Sequence, residues 1–123
     1  MKLPNAEEYL MEILWKCENA FLKDIMAYYP DPRPATTTVV TLLKRMQQKG
    51  VVAYRLFGNS RQYFPLVRKE DYFSSHVNAI VKNFFGDSAL QFASFFTTAG
   101  NFSEKELEEL KKIVEQELNR RKK

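Results

Sequence analysis

Between Arg33 and Lys69 the chain carries eight Lys/Arg (Arg33, Lys44, Arg45, Lys49, Arg55, Arg61, Arg68 and Lys69) and no Asp or Glu. The apolar period changes midway through this stretch. Val39, Leu42, Leu43 and Met46 recur at the i, i+3/i+4 spacing of a helix face. That spacing predicts a helix from about Thr36 to Lys49, stopped by Gly50 as its C-cap. Val51–Phe57 and Gln62–Leu66 are instead rich in β-branched and aromatic residues. Gly58-Asn59 between them is a turn signal, and Ser60 lengthens the tip.

The charge is confined to this block. Residues 1–32 carry three Lys against six acids, and residues 70–123 carry eight Lys/Arg against nine acids. The overall formal charge of +4 is therefore a local excess of +8 set between two mildly acidic segments. A cationic helix followed directly by a cationic hairpin predicts a winged helix-turn-helix that holds a polyanion on one face.

On the predicted helix, Thr37, Thr38, Thr41, Lys44, Arg45 and Gln48 fall on or near the outward side, and the first five are the candidates for DNA contact. Small hydrogen-bonding groups come first and cations later, which suits a recognition helix entering the major groove by its N-terminal end. Three consecutive threonines are poor helix-interior residues. One of Thr36, Thr37 and Thr38 is expected to cap the helix and the others to face DNA. Arg55, Asn59 and Arg61 are the wing residues expected to hold phosphates.

Upstream, Asn5 and Glu8 predict a capping box for a helix from Ala6 to about Cys17. Trp15 is expected at one edge of the core. Ala20-Phe21 is a short extended stretch suited to pairing with the hairpin. A second helix is expected over Leu22–Tyr29, ended by Pro30, Pro32 and Pro34. Downstream, helical periods recur from Arg68 to Gly86, from Ala89 to Phe96, and from Glu104 to about Arg121. Ser103 and Glu106 form a capping box for the last. The fold class is mainly α with one small hairpin. The winged-helix domain spans 1–67 and a helical domain spans 68–123.

Six of the ten Phe lie between Phe84 and Phe102. Small helices have little interior for so many rings, so a homodimer interface is expected. Its candidates are Phe84, Phe85, Phe92, Phe95 and Phe96, with Leu107, Leu110 and Val114 on the last helix. Cys17 is the sole cysteine and His76 the sole histidine, so neither an internal disulfide nor a Cys/His zinc site is expected. No cofactor is expected. The N-terminus lacks the apolar run of a signal peptide and no segment has the length of a membrane span, so the cytoplasm is the expected location. No paired carboxylates, phosphate loop or nucleophile motif converges on an enzyme site. The competing reading is a winged-helix adaptor that binds protein rather than DNA.

Taken in order, Leu3-Pro4-Asn5-Ala6-Glu7, Ile13-Leu14-Trp15, the run Thr37 to Met46, Lys49-Gly50-Val51-Val52, Tyr63 to Val67 and Phe102 to Leu110 resemble the penicillinase-repressor family over nearly the whole chain. The resemblance implies an N-terminal winged helix, a C-terminal helical dimerisation region, and a dimeric transcriptional repressor on palindromic operators. It also implies a membrane sensor whose signal leads to cleavage near the start of the C-terminal region. The chain departs from copper-sensing members, because no cysteine follows Cys17. Proteolysed members are cut at an Asn-Phe bond. Asn101-Phe102 is such a bond, while aligning the final helix puts the cut nearer Phe95-Phe96.

Overall fold

The computed structural model describes residues 2–122. The elements in order are α1 (Asn5–Cys17), β1 (Ala20–Phe21), α2 (Leu22–Tyr28), α3 (Thr36–Gln48), β2 (Val52–Phe57), β3 (Ser60–Pro65), α4 (Lys69–Phe84), α5 (Ala89–Ala99) and α6 (Glu104–Arg121). The sheet is antiparallel with order β1-β3-β2, so Ala20-Phe21 pairs with the hairpin through Tyr63 and Gln62. This is a winged helix followed by C-terminal helices, as the sequence predicts.

The chain forms two compact units, Met1–Val77 and Asn78–Lys123. The division falls inside α4, later than the domain boundary expected at 67/68. Long-range bonds explain why the first turns of α4 belong to the first unit. The buried Tyr72 hydroxyl accepts from the Leu3 backbone N–H (2.9 Å) and donates to Glu8 Oε2 (2.5 Å). Trp15 Nε1 donates to the Val67 carbonyl (2.9 Å), and Lys69 Nζ donates to Glu12 Oε1 (3.0 Å).

The core of the first unit gathers Leu10, Met11 and Leu14 of α1, Ile25 of α2, Val39, Leu43 and Met46 of α3, and Val52 and Tyr63 of the hairpin. Helix α3 thus turns an i, i+4, i+7 stripe inward and leaves its polar side to water. The second unit has no comparable interior. Neither α5 nor α6 carries a buried residue. Its rings meet one another edge-on or tilted instead: Phe85 against Phe92 and Phe95 (5.5 and 5.3 Å), and Phe96 against Phe102 (5.2 Å). Gly100 makes the last contact possible, since a Cβ there would stand 2.2 Å from the Phe102 ring.

Helix ends separate what was expected from what forms. Gly50 does end α3, as the left-handed residue of a Schellman turn at φ 78°. Val51 N–H bonds the Met46 carbonyl and Gly50 N–H bonds the Gln47 carbonyl (3.1 and 3.0 Å). The residue in the cap position itself is Lys49. Ser103 and Glu106 do close a capping box on α6. Asn5, however, is not the N-cap of α1. Both Glu7 and Glu8 N–H groups bond the Pro4 carbonyl (3.0 and 2.9 Å), so the helix begins one residue earlier and Pro4 caps it. Glu8 is engaged by Tyr72 and closes no box. Nor does a threonine cap α3. Ala35 is its N-cap, and the Ala35 carbonyl takes the Thr38 and Val39 N–H groups. Helix α5 outruns its predicted end at Phe96 and reaches Ala99.

Candidate nucleic-acid interface

With Val39, Leu43 and Met46 buried, α3 presents its opposite side to solvent. At about 100° per residue, Thr37, Thr41, Lys44 and Gln48 fall within roughly 60° of one another. Thr38 and Arg45 lie on one flank and Val40 on the other. All seven are exposed. The five α3 residues singled out from the sequence therefore share one helical face. The Thr41 hydroxyl donates to the Thr37 carbonyl (2.9 Å), so its proton is already committed.

The hairpin register is Tyr54↔Tyr63, Arg55↔Gln62, Leu56↔Arg61 and Phe57↔Ser60. Side chains alternate along strands. Arg61 therefore shares the face of the buried Val52 and Tyr63, and Arg55 lies on the other face with Phe64. Each guanidinium sits over a ring one diagonal step away. Arg61 is 4.4 Å from the Tyr54 centroid and Arg55 is 4.6 Å from that of Phe64. Such stacking holds an arginine in place without consuming its charge. The Tyr63 hydroxyl, then Tyr54, raise the Arg61 pKa further.

A groove of about 420 Å³ runs between α3 and β3, lined by Val40, Lys44, Gln47, Gln48, Arg61 and Tyr63. It brings Lys44 and Arg61 together. Arg55 is on the far face of the hairpin and does not join them. Asn59, at the tip, lines a second groove with Arg61 and the start of α2, including Lys23. Lys23 escaped the sequence reading because it lies outside the basic block. Val40 and Gln47 escaped because neither charge nor a motif marks them; only their phase on the α3 wheel does.

The eight cations of the block divide into two sets. Lys49 pairs with Glu7 (2.6 Å), Lys69 with Glu12 (3.0 Å), Arg68 with Glu70 (3.7 Å) and Arg33 with Asp31 (3.8 Å). Lys44, Arg45, Arg55 and Arg61 have no carboxylate within ion-pair distance among the described residues. The first set braces the fold or sits at its margins, and the second is left to solvent. Among the described residues no cluster of His, Cys, Asp or Glu is placed to hold a metal ion, and no helix is long and apolar enough to cross a membrane.

A three-helix core, an exposed helix face with unpaired cations and an antiparallel hairpin define a winged helix with a basic reading side. The family model of penicillinase repressors matches residues 3–116. The chain is 22% identical to the penicillinase repressor of Bacillus licheniformis over 122 residues, covering 98% of this chain and 95% of that protein. The chain belongs to the penicillinase repressor family, a family of transcriptional repressors.

Proposed function

We propose that the chain is a cytoplasmic, homodimeric repressor that binds double-stranded operator DNA in a sequence-specific way. Helix α3 lies in the major groove, Asn59 and Arg61 hold phosphates beside it, and Arg55 holds a phosphate from the other face of the wing. The observation that carries this reading is the set Lys44, Arg45, Arg55 and Arg61, whose charges no carboxylate offsets. Cations left unpaired on one helix and its hairpin are available to displace counterions from a phosphate backbone.

The dimer is assigned to the second unit. Phe84, Phe95, Phe96, Leu107 and Val114 are exposed large apolar side chains, as are Leu90, Ile113 and Leu118, which the sequence reading left out. Phe85, Phe92 and Leu110 are half-buried. Helices without an interior of their own gain one when two copies pack together. Release by a membrane-sensor pathway fits the same division, since a cut at either candidate bond would take α6 and its pairing residues away from the reader. Of the two candidate bonds, Asn101-Phe102 lies in irregular backbone between α5 and α6, whereas Phe95-Phe96 lies within α5 and has to unwind before a protease can bind it.

The test is a salt titration of the full chain on duplexes that it enriches from a random-sequence pool. Steeply salt-dependent, sequence-selective binding supports the repressor. Absent or salt-insensitive binding favours a winged-helix adaptor for protein partners.

A further inference from the structure

We infer that the reading face recognises the C5-methyl groups of thymine, with Val40 and the γ-methyl of Thr41 as its specificity-determining contacts. This rests on the DNA-binding reading above and deepens it. Val40 is an exposed apolar residue on the solvent side of α3. One turn away on either side stand Thr37 and Lys44, and Val40 shares its groove with Lys44 and Arg61. An apolar side chain in a groove with two cations suits a base edge that is apolar and flanked by phosphates. Among the four bases only thymine offers that edge in the major groove.

Thr41 points the same way. Its hydroxyl donates to the Thr37 carbonyl inside the helix (2.9 Å). A threonine held like this keeps its oxygen turned back along the helix. The other branch of the side chain, the γ-methyl, is what it presents outward, and Thr41 is exposed. Val40 and Thr41 are about 100° apart around the helix, so their methyls meet different parts of the face and each reads its own thymine. Both lie on an exposed face that also carries Lys44 and Arg45. Polar discrimination falls to Lys44, Arg45 and Gln48.

The experiment uses the full chain and the duplex that it enriches from a random-sequence pool. Each thymine is replaced in turn by deoxyuridine, which removes the methyl and nothing else. At one or more positions of each half-site, affinity is expected to fall about fourfold, the factor for one buried methyl group. At those positions Val40→Ala or Thr41→Ser loses the preference for thymine over uracil, whereas Val40→Ile and Thr41→Val keep it. Val40 and Thr41 are exposed, so these substitutions spare the core. A salt-dependent, selective complex that is indifferent to every thymine-to-uracil change would overturn the inference and leave the repressor reading standing. Failure to enrich any duplex would overturn both. Retention of the thymine preference by both Val40→Ala and Thr41→Ser would overturn the assignment to these side chains.

Discussion

The Lys49 ammonium lies 2.6 Å from Glu7 Oε1, with the carboxylate side chain 3% exposed and the lysine 35% exposed. This pair joins the first turn of α1 to the end of α3. Each charge also faces the favourable end of its helix dipole. A cation in the middle of the basic block is thus spent on the fold. Lys49→Met leaves the Glu7 carboxylate buried and unpaired, and should cost about 3 kcal/mol. Glu7→Gln, which keeps a hydrogen-bond acceptor, should cost less. Urea unfolding of both variants measures the difference.

Salt dependence separates Lys49 from the unpaired cations. If all four unpaired cations engage in each half of a dimer, the slope of log affinity against log salt should be about −7. Lys44→Ala or Arg61→Ala should flatten it by roughly one to two for the two copies. The Lys49→Met variant should keep the parent slope, provided binding is measured where it is fully folded. A loss of slope in that variant would place Lys49 on the DNA.

Glu18 has φ 66° and ψ −51°, and Asn19 N–H bonds the Cys17 carbonyl across it (2.8 Å). This is a γ-turn of the strained hand, which side chains with a Cβ rarely adopt. Glu18 is exposed and forms no ion pair among the described residues. Glu18→Gly should relieve the strain and stabilise the first unit by about 1 kcal/mol. A thermal melt showing no gain or a loss would mean that the turn is unstrained.

Burial, then the hydrogen bond to Glu8, push the Tyr72 hydroxyl up to about 12. An unfolded tyrosine ionises near 10. Between these values the unfolded chain has released a proton that the folded chain still holds, so stability falls as pH rises. The contribution is fully present below about pH 10 and is lost by about pH 12. Tyr72→Phe should be less stable at neutral pH, having lost bonds to Leu3 and Glu8, and should show a shallower alkaline slope. Denaturant midpoints collected from pH 8 to 12 would expose the two curves converging.

A fragment ending at Val77 should fold, remain monomeric and bind a half-site. The linked dimer should exceed it on the full operator by roughly 10²–10⁴. A fragment ending at 67 lacks Lys69 and Tyr72, leaving Glu12 and the Leu3 N–H without their partners, and should be markedly less stable. Ultracentrifugation and circular dichroism on the two fragments test this. A dimeric 1–77 fragment would remove the pairing role from the second unit.

Local grammar was readable in the sequence, and distant partners were not. Gly50 and the Ser103/Glu106 box announced their helix ends because the signal and its effect lie within four residues. Asn5 misled because the competing acceptor was the backbone carbonyl of Pro4, and carbonyls carry no sequence mark. The reach of α4 into the first unit depends on Tyr72 meeting Leu3, 69 residues away, which no period encodes. Periodicity placed Thr37, Thr41 and Lys44 on one face. It could not show that Arg55 and Arg61 part company, because that follows from strand alternation combined with a register fixed by pairing.

Only Lys49, Gly50 and Val51 separate α3 from β2, and two backbone bonds of the Schellman turn clamp that junction. There is no slack in such a joint. The helix cannot be re-aimed without swinging the hairpin through the same angle, so helix and wing behave mechanically as one bent piece. On the DNA-binding function proposed above, fitting the chain to a different operator falls to exchanging outward side chains such as Val40, Thr41 and Gln48. An inserted residue at the bend would shift the spacing between α3 and the hairpin, and with it both of the proposed sets of contacts.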